Sequence, residues 1–192
     1  MLYLNQYDYK HITYNHNVAN GGMPKERSTV ASSGCGLCSV CMIVGHLTGE
    51  TLSVEECVRL SEESGANLGI GTDMRFLGPV VARLYGLEYR ETSDVQDMLD
   101  HLRSGGEAIE ILLGSQNDSL GLFSRRRHYI TLVSFDGREV GILDPSYTEG
   151  KYDVEGRRGR VRVEYPFIFC SPEELDREAD KNVPEFYLFK KS

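Results

Sequence analysis

The apolar residues of this 192-residue chain change their spacing once, at Gly105-Gly106. Before that pair they recur every three or four positions. After it they come in short runs broken by turn residues. The first pattern belongs to helices with one buried face, the second to strands. Leu37, Val40, Ile43, Val44 and Leu47 mark a first helix that Gly49 closes. Ser53 with Glu56 reads as a capping box for a second helix, with Val54, Cys57 and Val58 as its apolar face. A third helix is expected within 74–85, with a restart or kink at Gly78-Pro79 and a stop at Gly86. A fourth is expected from Ser93, with Gln96 as capping partner and Val95, Met98, Leu99 and Leu102 facing inward. Beyond the glycines, AIEILL (108–113), HYITLVSF (128–135) and VGIL (140–143) are strand candidates. Asp136-Gly137 signals a hairpin between the last two. Further strands are expected near 160–170 and 185–189, and Ser171 with Glu174 opens one more helix. Residues 1–33, polar and rich in Asn and Gly, read as an extended loop. Helices first and antiparallel strands afterwards define an α+β fold. Strands do not alternate with helices, which argues against a doubly wound parallel sheet.

The length suits one domain, 1–192, with a real core. A net charge of -8 argues against nucleic acid or an anionic membrane surface as the main partner. No run approaches the roughly 20 apolar residues of a membrane span, and the first residues lack a signal-peptide core. The sequence as it stands therefore reads as cytoplasmic, or as secreted if a leader was removed. There are five cysteines, Cys35, Cys38, Cys41, Cys57 and Cys170, so at least one is unpaired within the chain. That suits a reducing compartment or a reactive thiol better than a disulfide framework.

Cys35 stands between Gly34 and Gly36 at the mouth of the first helix. Flanking glycines permit a sharp turn and the close approach of a substrate. A helix N-terminus carries about half a positive charge and unpaired N–H groups. Such a site favours the thiolate, the form that attacks. The same N–H groups suit the oxyanion that forms at an attacked carbonyl. A small, inert, buried cysteine is the plain alternative for Cys35 taken alone. Cys35-Gly-Leu-Cys38 is also a C-x-x-C, but a thioredoxin-like site needs a buried strand before it, and 25–33 does not read as one. Cys35, Cys38, Cys41 and His46 lack the second cysteine knuckle that a structural zinc site uses. Cys38, Cys41 and Cys57 read as helix core.

His11 and His16 lie in the polar N-terminal stretch, His46 near a helix end, and His101 on the polar face of the fourth helix. His128 differs by opening an apolar strand directly after Arg125, Arg126 and Arg127. Asp144 ends the next strand, so the hairpin brings the two together. The register decides whether they can meet. A strict two-residue loop at 136–137 pairs 129 with 144 and turns His128 and Asp144 to opposite faces. A three-residue loop, or one bulge, pairs 130 with 144 and puts both on one face. His128 as acid–base partner of Cys35, oriented by Asp144, therefore predicts an odd loop or a bulge. The competing reading of Asp144 is a turn residue before Pro145. The arginine run is either a solvated loop tip or a recognition element for acidic substrates. Gly-Ile-Gly at 69–71 reads as a glycine loop and not as a nucleotide site.

The segments Gln6-Tyr-Asp, Ser33-Gly-Cys-Gly, His128-Tyr-Ile and Leu143-Asp-Pro, in this order, resemble the peptidase-39-like domains, papain-like relatives of the bacteriocin-leader peptidases. The resemblance covers most of the chain, and the spacings from Cys35 to His128 and from His128 to Asp144 suit that family. It implies a papain-like fold, a peptide or amide substrate and no cofactor or metal. It also implies an oxyanion-hole role for Gln6. Leu37 stands where such domains often have proline, and Arg127 where they often have glycine. The expected function is a thiol-dependent peptidase or amide hydrolase acting through an acyl-enzyme. An acyltransferase with the same triad and a non-catalytic peptide-binding module are the alternatives.

Overall fold

A computed structural model of the chain describes residues 1–14, 28–67, 71–117 and 119–192. It divides into two compact units, Met1–Tyr89 with Phe189–Ser192, and Arg90–Leu188. Part of the Gly-Ile-Gly segment, and His16, lie outside the described residues.

The first unit begins with a 3-10 turn, Gln6–Tyr9, and continues through helices α1 (Val30–Ser33), α2 (Cys35–Thr48), α3 (Val54–Glu63) and α4 (Met74–Tyr85) into strand β1 (Leu87–Thr92). The turn and α1 interrupt the stretch expected to be extended. Helix α2 ends as its sequence requires: Gly49 adopts φ 77° and its N–H reaches Gly45 O at 3.1 Å. Leu37, Cys38, Val40, Cys41, Ile43 and Val44 are fully buried, which makes Cys38 and Cys41 core residues as expected, with Cys57 of α3 beside them. Ser53 caps α3 by accepting from Glu56 N at 3.1 Å. Only half of the capping box forms, because the Glu56 carboxylate turns outward to Arg59. Helix α4 runs unbroken through Pro79. Pro79 and Arg75 are both exposed, so the carbonyl that Pro79 cannot serve lies on the wet side. Gly78 admits the Tyr89 ring where any side chain would collide. Buried Tyr14 ties the unit together, its hydroxyl bonding Ser61 Oγ at 2.8 Å and Thr72 Oγ1 at 2.6 Å.

The second unit holds helix α5 (Val95–Arg103), strands β2 (Glu107–Leu112), β3 (His128–Phe135), β4 (Val140–Leu143), β5 (Arg162–Glu164) and β6 (Phe167–Cys170), and helix α6 (Pro172–Glu178). Strands β1 (Leu87–Thr92) and β7 (Phe186–Lys191) complete the set, and the strand order is β1-β7-β2-β3-β4-β6-β5. The pairings β2–β3, β3–β4, β4–β6 and β5–β6 are all antiparallel. The fold is α+β, as the change of period predicts. Strand β1, between α4 and α5, was not foreseen. The core of the second unit packs Met98, Leu102, Ala108, Leu112, Phe123, Ile130, Leu132, Ile142, Ile168 and Phe186. Helix α5 starts one residue later than expected: Asp94, not Ser93, is the cap, and it accepts from Gln96 N at 2.8 Å and Asp97 N at 3.3 Å. His101 is buried rather than on a polar face, and Gly106 lies so close to its ring that a side chain there would collide.

The β3–β4 hairpin fixes the part of this unit that matters most. Its loop spans 136–139, closed by Phe135 opposite Val140, with the Asp136 carboxylate accepting from Arg138 N and Glu139 N at 2.7 Å each. Ser134 stands opposite Gly141, but Leu132 stands opposite Ile142, so Val133 is an extra residue, a β-bulge. The four-residue loop alone would bring residue 131 opposite Asp144. The bulge shifts the ladder so that Thr131 faces Leu143 and Ile130 comes next to Asp144. Strand alternation then turns His128 and Asp144 to the same face.

Candidate active site

His128, the first residue of β3, and Asp144, one residue past β4, meet inside the second unit. His128 Nε2 lies 2.8 Å from Asp144 Oδ1, with the histidine 4% and the aspartate 0% exposed. The same carboxylate oxygen accepts from Ser146 N at 2.8 Å and from Ser146 Oγ at 3.0 Å. The other oxygen accepts from Tyr152 Oη at 2.6 Å and from the Lys151 ammonium. Lys151 also donates to Ser146 Oγ at 2.7 Å and to Ser146 O at 3.1 Å. Ser146 Oγ stands 3.1 Å from His128 Nε2. Arg157, itself buried, secures this loop by donating to Gly121 O at 2.9 Å and Lys151 O at 3.2 Å.

Burial alone would push the Asp144 carboxyl up. The Lys151 ammonium and His128 outweigh burial and hold it far below the usual carboxylate range. The group is therefore an anion, and an anion only accepts. That fixes the tautomer of its neighbour: Nε2 of His128 carries the proton, and in the neutral ring the lone pair sits on Nδ1. Tyr152 is driven the other way. Burial first, and the Asp144 charge second, push its phenol well up, so it stays a neutral donor. The cluster can hold an imidazole in one orientation and one tautomer and stabilise it when protonated. Those are the tasks of the third member of a catalytic triad.

In the first unit, Cys35 is the first residue of α2, partly exposed, with Gly34 as the N-cap. Gly34 N reaches Val30 O at 2.7 Å, and a Cβ on Gly34 would stand 2.7 Å from that carbonyl and 2.9 Å from Val30 Cα. Only glycine permits so tight a junction between α1 and α2. Gln6 is buried, and its Nε2 donates to Ala31 O of α1 at 2.7 Å. Its Oε1 has no hydrogen-bond partner among the described residues. Gln6 is thereby fastened to the short helix that leads into Gly34-Cys35.

Of the arginine run, Arg127 is held by an ion pair. It pairs with Asp180, which is almost fully buried, at 2.5 Å. Arg125 and Arg126 are exposed. His46 contacts Leu2 O at 2.7 Å, and the His11 ring lies 6.4 Å from that of Tyr9. Among the described residues no three His, Cys, Asp or Glu side chains form a group able to hold a metal ion, and no helix is long and apolar enough to cross a membrane. Sequence reasoning missed Ser146, Lys151 and Tyr152. The available signal was a Lys-Tyr pair seven residues past Asp144, in a loop short enough to fold back on its own start.

No family model matches the chain, and neither does any curated protein sequence. Solved structures do. A C39-like peptidase from Bacillus anthracis is 13% identical, with a TM-score of 0.56, over 83% of this chain and 89% of that one. The peptidase domain of Streptococcus ComA, a bifunctional ABC transporter of a quorum-sensing pathway, is 16% identical, with a TM-score of 0.52, over 82% and 91%. The fold is that of the C39-like peptidases. Within this papain-like fold the expected resemblance holds at the level of architecture across more than four-fifths of the chain.

Proposed function

We propose that the chain is a cysteine peptidase or amide hydrolase, a single papain-like domain built from both units, in which Cys35 attacks the substrate carbonyl. The observation that carries the reading is the buried His128–Asp144 pair, with Nε2 committed to an ionised carboxylate. His128 Nδ1 takes the thiol proton, and the thiolate adds to the carbonyl carbon. The negative oxygen of the tetrahedral adduct is received by N–H groups at the start of α2 and by the second N–H of the Gln6 amide. The C–N bond breaks as His128 returns the proton to the leaving amine, which leaves a thioester on Cys35. Water, losing a proton to His128, then releases the acid and restores the thiol. An amine or thiol in place of water would make the same triad a transferase, and product analysis by mass spectrometry separates the two. A peptide is the substrate class we favour, in keeping with the fold. The reaction needs no cofactor.

The test is the pH dependence of Cys35 alkylation by iodoacetamide, in the parent chain and in His128→Ala. Reaction that persists well below pH 8 in the parent and loses its acid limb in the variant is the expected result. An ordinary thiol titration in both would overturn the reading in favour of a non-catalytic binding module.

A further inference from the structure

The Lys151 ammonium is an unusual neighbour for a triad carboxylate. Its side chain is only 8% exposed. All three of its N–H donors are placed, on Asp144 Oδ2, Ser146 Oγ and Ser146 O. Ser146 Oγ is also 3.1 Å from His128 Nε2, so the cation stands two hydrogen bonds from the imidazole. Asp144 thus faces two potential cations, the His128 imidazole and the Lys151 ammonium. A carboxylate that serves only to steady an imidazolium needs no such partner. Tyr152 is neutral, and Arg157 from the same loop is a further cation. Cys170 of β6 acts on Tyr152 and is itself pushed up by burial, while Arg125 and Glu178 act on Arg157.

We propose that Lys151 is a positioning residue that pre-neutralises Asp144 and so holds His128 as a neutral base, limiting how much thiolate–imidazolium pair the resting site contains. This deepens the proposed function and rests on His128 being the base for Cys35. Asp144 orients the ring through Oδ1, while Lys151 spends most of its charge through Oδ2. Orientation is kept and proton affinity is restrained. A neutral imidazole is the form able to accept a proton from an incoming thiol or water.

The consequence is measurable without any substrate. In a Cys35→Ala chain, where no thiol couples to the ring, the His128 imidazole is titrated by NMR, with and without Lys151→Met. Removing the cation leaves the His128–Asp144 pair with uncompensated negative charge, so whichever partner holds it, the pair takes up its proton at higher pH. The midpoint should rise by about one unit or more, as for loss of a charge within roughly 6 Å. Lys151→Arg, which restores the charge, should return the midpoint toward the parent. Tyr152→Phe, which removes an uncharged donor, should move it far less than Lys151→Met. If Lys151→Met does not fold, Lys151→Gln keeps a donor to the carboxylate without charge and carries the same expectation. An unmoved or lowered midpoint in a folded variant overturns the proposal. With Cys35 present, Lys151→Met should raise the rate of alkylation at neutral pH. If Cys35 proves unactivated in every chain while the His128 midpoint still moves, the peptidase reading fails, and what survives is only the hold of Lys151 on the proton affinity of the His128–Asp144 pair.

Discussion

Asp144 and Glu110 are both carboxyl groups cut off from water in the second unit, and their circumstances are opposite. Asp144 is saturated with donors. Among the described residues, neither oxygen of Glu110, mid-strand in β2, has a hydrogen-bond partner. Burial, and next the charge of Glu185, push its carboxyl well up. The pH behaviour follows from the signs. Asp144 is depressed in the folded chain, so its contribution is complete above the ordinary carboxylate value of about 4 and is lost only in strong acid. Asp144→Ala should therefore cost about 3–5 kcal/mol at every pH from 5 to 8, because it strands the Lys151 cation. Adding Lys151→Met should recover part of that in urea unfolding. Glu110 is raised, so the unfolded chain ionises first and stability falls as pH climbs above about 4.3. Glu110→Leu should stabilise by about 1–3 kcal/mol near pH 7, with the gain growing between pH 5 and 8. A constant difference across that range would mean that Glu110 ionises normally when folded.

At the scale of elements, one extra residue decides whether the histidine and the aspartate can meet. The four-residue loop at 136–139 has the wrong parity, and Val133 corrects it. Deleting the paired residue Thr131, with the bulge kept, should bring Tyr129 opposite Asp144 and turn His128 to the other face. The NMR signal of a carboxylate-bonded imidazole N–H should then vanish, although the hairpin itself can still form. The α1–α2 junction is a second such point. Gly34→Ala should cost about 1–3 kcal/mol, because the added carbon meets Val30 backbone that cannot rotate away. These elements differ in how well the sequence announces them. Helices α2 and α3 carry their own boundaries, Gly49 and Ser53, and both fall where expected. At α5 two adjacent residues can cap, and Asp94 takes the role with two N–H bonds while Ser93 Oγ lies 3.4 Å from Glu185 N, far along the chain. Strand β1, LEYRET, has one buried residue, Leu87, and no local turn partner, so nothing local marks it as a strand. The need for an odd loop or a bulge was legible, since parity is arithmetic. Its position at Val133 was not, because it depends on Gly141 leaving room for Ser134.

Across the whole molecule, the last four residues return to the first unit. Phe189 is fully buried and packs edge-on against Tyr89 with ring centres 5.1 Å apart, and Ser192 Oγ donates to Gly86 O at 3.1 Å across 106 positions of sequence. Phe189→Ala should cost about 3–5 kcal/mol. Ending the chain at Leu188 should depress the melting temperature further, as calorimetry would read. Contacts of that range are why the order of helices and strands could be read from the residues but the division into units could not. The change of spacing at Gly105-Gly106 is a local property, whereas the closure of a unit by its distant end has no local trace. The same reasoning explains the candidate site. Cys35, His128 and Asp144 each had a local reason to be singled out, a glycine-flanked helix start and two strand ends. Lys151 had only its place in a loop short enough to fold back on Asp144, and its role shows once its three acceptors are in place.

The phenol of Tyr152 donates directly to the carboxylate that orients His128. The chain contains eleven tyrosines and no tryptophan, so nothing masks tyrosine in the near ultraviolet. A phenol bonded to an anion absorbs further to the red than one bonded to water, and its emission is quenched by the acceptor. Tyr152 is therefore a built-in optical probe. A difference spectrum between the parent and Tyr152→Phe isolates its band, and any event that draws charge off Asp144, whether a proton taken up by the histidine or an inhibitor settling at the site, should register as a colour change without a label.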